Sequence, residues 1–310
     1  MISLDRYLGC ISGLTYGDAY GAAYEGGLFE KLIWKIIGRT KKGKLRYTDD
    51  TQMSIDIAQS YLSKNEIDSD CLAEQFAKSY QYSRGYGPRA AWLLKQIKKG
   101  SHWKNINKVK FSSGSWGNGA AMRAPVIGLI YAQRPHEMNQ AIFKSSVITH
   151  AHPLAIEGAK IIALTVSSVL CEFSTEHLFE KLILNSNHSI YRKKLETAKN
   201  WILHSVKPSQ NEIKLHLGNQ IQASESVISA VYFAIQFKNH RLDQMLHPIF
   251  KLGGDTDTIG SMAGSIWGAI NGLNKIRRIE LDRIEKIDWI LNLGEKLYFN
   301  KQEPLNPPIE

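Results

Sequence analysis

Gly253-Gly254-Asp255-Thr256-Asp257-Thr258, running on into Ile259-Gly260-Ser261-Met262-Ala263-Gly264-Ser265-Ile266-Trp267-Gly268-Ala269-Ile270, is the stretch that decides the fold class. Ile259, Met262, Ala263, Ile266, Trp267 and Ile270 recur at intervals of three and four, which stacks side chains on one face of an α-helix and not on a strand. Met53, Ile57, Ala58, Tyr61 and Leu62 repeat the interval, and segments 139–148, 155–169 and 226–237 read the same way. Strand-like alternation is scarce, so the expectation is an all-α protein.

Outward from these helices, Gly9, Gly13, Gly17 and Gly21 recur at every fourth residue. On a helix they leave a groove of bare backbone along one face, which a neighbouring helix can approach closely. The stretch is not a 20-residue apolar span, so tight packing inside a bundle is expected rather than the membrane-dimer use of such spacing. The polar region 185–222 contains Trp201 and Ile202 at helical spacing and reads as surface helices of the same domain. One helical domain over 1–301 is expected, with a loose tail over 302–310 that carries three prolines.

The 310 residues, 43% hydrophobic and 22% charged, suffice for a sizeable core and argue against disorder. No long uncharged apolar run suggests a membrane span, and the start Met1-Ile2-Ser3-Leu4-Asp5-Arg6 lacks the basic lead of a signal peptide. A cytoplasmic protein is expected, with a monomer as the default. Cys10, Cys71 and Cys171 lie far apart without a CxxC pair, which suits buried small hydrophobes better than disulfides or a thiolate zinc site. The net charge of +10 comes from scattered bases. Those between Lys275 and Lys286 alternate with Glu280, Asp282 and Glu285 as on a solvated helix face, so direct nucleic-acid binding is not expected.

Two segments place acids at the starts of amphipathic helices. Tyr47-Thr48-Asp49-Asp50-Thr51 precedes the helix of Met53, and Asp255-Thr256-Asp257-Thr258 precedes that of Ile259. A cap from Asp50 or Thr51 in one, and from Asp257 or Thr258 in the other, satisfies free N–H groups but leaves acids over. Asp-x-Asp beside glycines points two carboxylates at a hard cation. An EF-hand is excluded, because Ile259 and Ile266 would fall where oxygen ligands are required. If Asp49, Asp50, Asp255 and Asp257 converge, two Mg²⁺ or Mn²⁺ ions would neutralise them, and an all-oxygen donor set disfavours zinc.

A third segment, Gly114-Ser115-Trp116-Gly117-Asn118-Gly119-Ala120-Ala121-Met122-Arg123, is small enough for backbone N–H groups to approach an anion, with a helix from Ala120 facing a phosphate. It is neither a GxGxxG nor a GK[ST] loop, and a plain turn into a core helix is the alternative. Phe111 and Trp116 flank it as a clamp for a purine base. Thr149-His150-Ala151-His152-Pro153 offers two histidines without a third zinc ligand, so substrate contact or a structural role is preferred. Asp18 reads equally as a structural acceptor and as a catalytic group.

In this order the pieces resemble the ADP-ribosylglycohydrolase family: Gly9-Cys10-Ile11-Ser12-Gly13, Gly17-Asp18, Thr48-Asp49-Asp50-Thr51, Gly117-Asn118-Gly119-Ala120-Ala121-Met122-Arg123, Thr149-His150 and Gly253-Gly254-Asp255-Thr256-Asp257-Thr258. The resemblance implies a single orthogonal helical bundle with a binuclear metal cleft and hydrolysis of the bond between ADP-ribose and a modified acceptor. The acceptor would be a serine or arginine side chain or a small O-acyl group. By motif match Thr48, Asp49, Asp50, Asp255, Asp257 and Thr258 would hold two Mg²⁺ or Mn²⁺ ions. Ser115, Trp116, Gly117, Asn118, Gly119 and Met122 would line the ligand site, with Phe111 beside the adenine and His152 at the distal part. Glu25 matches a gate-loop glutamate of the serine-directed branch, and proton transfer falls to Glu25 or to Asp49, Asp50 or Asp257. Alternatives are a silent ADP-ribose-binding or immunity-type protein and another two-metal hydrolase of nucleoside derivatives.

Overall fold

The computed structural model of the chain describes residues 2–27, 32, 34, 36–109 and 112–302, the side chains of 301 and 302 excepted. Its helices are α1 (Leu4–Gly21), α2 (Asp49–Lys64), α3 (Ser69–Ser79), α4 (Pro88–Lys98), α5 (Trp103–Ile106), α6 (Ala124–Ile130), α7 (Pro135–Ser146) and α8 (Pro153–Leu170). They continue as α9 (Thr175–Leu184), α10 (Ser189–Leu203), α11 (Gln210–His216), α12 (Val227–Gln236), α13 (Leu242–Leu252), α14 (Thr256–Asn271), α15 (Arg278–Leu281) and α16 (Ile287–Gln302). Among the described residues the strand-like pairs are isolated bridges, Arg39 with Leu45, Leu45 with Ile284 and Gly117 with Gln222. The protein is all-α, as the periodicity requires.

The glycine repeat of α1 sets the axis of the bundle. Gly9, Gly13 and Gly17 lie against Gly268, Gly264 and Gly260 of α14 in antiparallel register. A Cβ on Gly13 would stand 2.0 Å from Gly264 O, one on Gly17 2.0 Å from Gly260 O, and one on Gly268 1.9 Å from Gly9 O. Those separations lie far inside van der Waals contact, so the seam exists only because both helices are bare there. Its last step places Gly21 against the backbone of Thr256 and Asp257, and the Thr256 hydroxyl donates to Gly21 O at 3.0 Å. The register therefore delivers the end of α1 to the start of α14.

Around this pair, α14 packs on α8, α12 and α13, while α2 packs on α3, α16 and α6. Trp267, Met262 and Ile266 of α14 and Met53 and Ile57 of α2 are fully buried, each stabilising the fold by roughly 1.5–3 kcal/mol in transfer terms. Helix α8 is long and apolar enough to cross a membrane by composition, yet it is largely buried in the bundle against α6 and α7. Of the three cysteines only Cys10 is buried; Cys71 is half-buried and Cys171 exposed, which corrects the expectation that all three are core residues. Residues 303–310, most of the expected loose tail, lie outside the described residues.

Candidate metal centre and ligand cleft

Helix α2 begins differently from the sequence expectation. Its N-cap is Thr48, whose hydroxyl accepts the Asp50 N–H at 3.3 Å, so Asp50 and Thr51 lie inside the first turn rather than capping it. A second acceptor comes from α1: the Asp18 carboxylate takes the N–H groups of Thr48 (3.0 Å) and Thr51 (3.0 Å) and the Thr51 hydroxyl. An anion at a helix N-terminus is favoured by the dipole. Asp18 is thus the structural acceptor of its two readings; burial raises its pKa while those hydrogen bonds pull the other way. Behind it, Arg84 donates to Tyr47 O at 2.7 Å and pairs with Glu285, fixing the approach to α2. Helix α14 likewise has its N-cap two residues early, at Asp255, whose side chain makes no cap bond.

The acids meet. Carboxylate oxygens of Glu25, Asp255 and Asp257 lie within 4.8 Å of one another, and the Thr258 hydroxyl reaches Asp50 Oδ1 at 3.4 Å. Asp49, Asp50, Asp255, Asp257 and Thr258 all line one cavity with Glu25, although the two segments are some two hundred residues apart in sequence. Thr48 sits beside them as the cap and not in the lining. Burial holds the carboxyls of Asp49, Asp50 and Asp257 well above the usual range, and neighbouring carboxylates add to it: Asp18 and then Glu25 for Asp49, Asp18 and Asp49 for Asp50, Glu25 and Asp255 for Asp257. Asp50 Oδ2 is buried with no protein partner. A crowd of this kind is destabilised as bare anions and suited to cations, and its all-oxygen donors match a hard divalent ion.

The same cavity, about 310 Å³, is lined on other sides by Ser115, Trp116, Gly117, Asn118, Gly119 and Met122, as the sequence indicates. Asn118 joins loop and acids, its amide donating to Asp255 Oδ2 (2.5 Å) and to Ser226 Oγ (3.1 Å). The Asn118 N–H goes to Ile221 O at 2.9 Å, and Asn118–Ala120 form a single 3-10 turn. Helix α6 starts only at Ala124, so the expected helix N-terminus at Ala120 is absent and any anion would meet turn backbone. Arg123 is fully buried below the loop, donating to Gly119 O (2.8 Å), Ser145 O (2.8 Å) and Thr149 Oγ1 (2.9 Å). Burial lowers its pKa to about 9.

Of the two histidines, His150 rather than His152 lines the cavity. His150 Nδ1 pairs with Thr149 Oγ1 at 2.8 Å, and its ring lies where side chains on Gly117 and Gly119 would point. Burial, then the charges of Arg123 and Arg89, hold its imidazole neutral. His152 caps α8, its Nδ1 accepting the Leu154 N–H at 3.1 Å, with its ring edge against Trp116. Phe111 lies outside the described residues. Gly85, Gly87, Pro88, Arg89, Ala90, Ile221 and Gln222 also line the cavity and carry no sequence signal, being ordinary residue types on segments without a motif.

A family model described as ADP-ribosylglycohydrolase matches residues 2–305. The ADP-ribosylhydrolase ARH3 of Mus musculus is 30% identical over 319 residues, covering 88% of this chain and 86% of the relative. The protein of that name from Homo sapiens is 30% identical, with 88% and 87% covered. ADP-ribosyl-dinitrogen reductase glycohydrolase of Rhodospirillum rubrum is 25% identical, with 88% and 87% covered. A solved structure described as an ADP-ribosylglycohydrolase-related protein complex shares the fold, with a TM-score of 0.74 at 21% identity over 96% of this chain and 99% of that one.

Proposed function

The chain belongs to the ADP-ribosylglycohydrolase family, and from that premise we propose that it hydrolyses the glycosidic bond between ADP-ribose and a modified acceptor, releasing ADP-ribose. The observation that carries this reading is the meeting of Glu25, Asp49, Asp50, Asp255 and Asp257 in one cavity with the 115–119 loop. Thr48, Asp49, Asp50, Asp255, Asp257 and Thr258 are the residues that would hold two divalent ions, and the partnerless Asp50 Oδ2 supports the fit. Mg²⁺ or Mn²⁺ bound there would supply Lewis-acid charge to the ribose hydroxyls and the attacking water.

The chain's own residues do the rest. The exposed Trp116 ring stacks on adenine, and the backbone of Ser115 to Gly119 holds the diphosphate. Binding of these remote groups keeps C1″ of the distal ribose against the acids while the bond opens through an oxocarbenium-like state. Asn118 keeps Asp255 turned into the site. Glu25 takes the proton of the attacking water as its oxygen bonds to C1″, and passes a proton to the departing acceptor atom as its bond to C1″ breaks. It follows α1 in a half-exposed segment, whereas Asp49, Asp50 and Asp257 are the carboxylates assigned to the cations, whose charge would occupy them as ligands. Serine is the acceptor we favour, on the match of Glu25 to the serine-directed branch.

The test is release of ADP-ribose from defined serine-, arginine- and O-acyl-linked conjugates by purified protein in Mg²⁺ or Mn²⁺, with loss on chelation. Inactivity on all three linkages sinks the proposal, and calorimetric binding of ADP-ribose without turnover would turn it into a binding protein.

A further inference from the structure

We infer that Arg89 is a substrate-binding residue whose guanidinium holds a phosphate of the ligand, setting a preference for a diphosphate over an uncharged nucleoside. The inference rests on the reading above that this cavity takes ADP-ribose.

Among the described residues the cavity lining holds five carboxylates, those of Glu25, Asp49, Asp50, Asp255 and Asp257, and a single Lys or Arg, which is Arg89. Divalent cations answer the carboxylates but not a dianionic diphosphate lying beyond them. Arg123, a cation below the loop among the described residues, cannot serve, because it is fully buried and held by Gly119 O, Ser145 O and Thr149 Oγ1. Arg89 is half-buried at the wall, and its Nη2 donates to Asn107 O. Asn107 is in turn fixed by its own amide, which donates to Val147 O at 2.8 Å. A guanidinium clamped this way loses little freedom on meeting a ligand.

Its position in its own helix points the same way. Arg89 is in the first turn of α4, which has Gly87 as cap, no side-chain cap bond and no acid in that turn. A cation there opposes the helix dipole, a local cost that a bound phosphate reverses, since anion, guanidinium and helix terminus then attract one another. Gly87, Pro88, Arg89 and Ala90 all line the cavity, so this turn faces the ligand space. Arg89 is also near enough to influence His150, whose ring lies against Gly117 and Gly119. An anion on the 117–119 turn would therefore share the cavity with Arg89.

Calorimetry in Mg²⁺ with ADP-ribose, ADP and adenosine as probes tests this on the wild type, Arg89→Gln and Arg89→Lys. Arg89→Gln should weaken ADP-ribose and ADP by about tenfold to a hundredfold, as loss of a charged hydrogen bond does, and adenosine by less than about twofold. The defect should shrink at high salt, where charge contacts are screened, and Arg89→Lys should recover part of it. Equal affinity of wild type and Arg89→Gln for ADP-ribose overturns the inference. So does an equal loss for all three probes that salt does not change, which would mark a wall-building role through Asn107. If wild type binds no ADP-ribose, it is the functional reading that fails.

Discussion

Where Gly9, Gly13 and Gly17 of α1 cross Gly268, Gly264 and Gly260 of α14, backbone lies on backbone; where the same helices meet at Gly21 and Asp257, they open onto crowded carboxylates. The seam gains dispersion energy without burying any charge, whereas the mouth buries charges that repel one another. Seam and mouth are one device. A contact with no side-chain freedom fixes the relative height of the helices, and that height decides whether the two acid segments face each other. Tight packing at the seam offsets the repulsion it makes possible at the mouth.

The seam is the more sensitive of the two. Gly13→Leu must push α1 off α14 and should destabilise the protein by at least about 4 kcal/mol, read by thermal unfolding; a normal melting temperature would mean that the glycines do not set the register. Next comes the mouth, where Asp257→Asn should cut turnover roughly a thousandfold, about 4 kcal/mol of barrier. It should also raise the melting temperature of the chelated protein, because burial and repulsion already disfavour that carboxylate. A melting temperature lowered in chelator would contradict the strained-mouth picture. Third, Mg²⁺ or Mn²⁺ at a hundred times its Kd should stabilise the wild type by about 2.7 kcal/mol, and Asp257→Asn by clearly less, measured by metal-dependent melting.

The most gradual effect, at most about 1.4 kcal/mol for each pH unit, lies deeper along α2, at Asp56. Burial raises its pKa to about 7 against hydrogen bonds from Ser79, Gln75 and Gln52. The folded protein thus keeps a proton that the unfolded chain loses above 3.8, the ordinary value of an aspartate. Its contribution to stability is full below that value and is lost as pH rises toward 7. Asp56→Asn should flatten the fall of stability across this window by up to about 1.4 kcal/mol per pH unit, in urea melts at saturating Mg²⁺. An unchanged slope would show that Asp56 is ionised throughout.

Much of this was legible in the residues, and the exceptions have physical causes. Periodicity marks the helices: the segment 226–237 contains α12 with its two caps, and 155–169 is the centre of α8. The acids stood out because neighbouring carboxylates exceed what caps require. The cap positions differ from the sequence expectation because Thr48 and Asp255 are cap-type residues like those that follow them, and the choice falls to remote contacts, Asp18 on the Thr48 N–H and Asn219 O on the Asp255 N–H. His152 drew attention over His150 because both share one motif, and which of them turns into the cavity depends on the end of α7 and the start of α8. Arg89 was silent, since a lone arginine on a helix has no local mark of function.

What the sequence determined by itself is local: helical segments from spacing, an oxygen-donor chemistry from Asp and Thr types, and a glycine face able to accept a neighbour. Which neighbour it accepts was decided by the tertiary structure alone. Gly13 and Gly264, like Asp50 and Thr258, are brought together by the packing of helices remote in sequence. Short-range propensities act within a turn or two of helix and carry no record of such partners; closing that distance is driven by burial of the whole core.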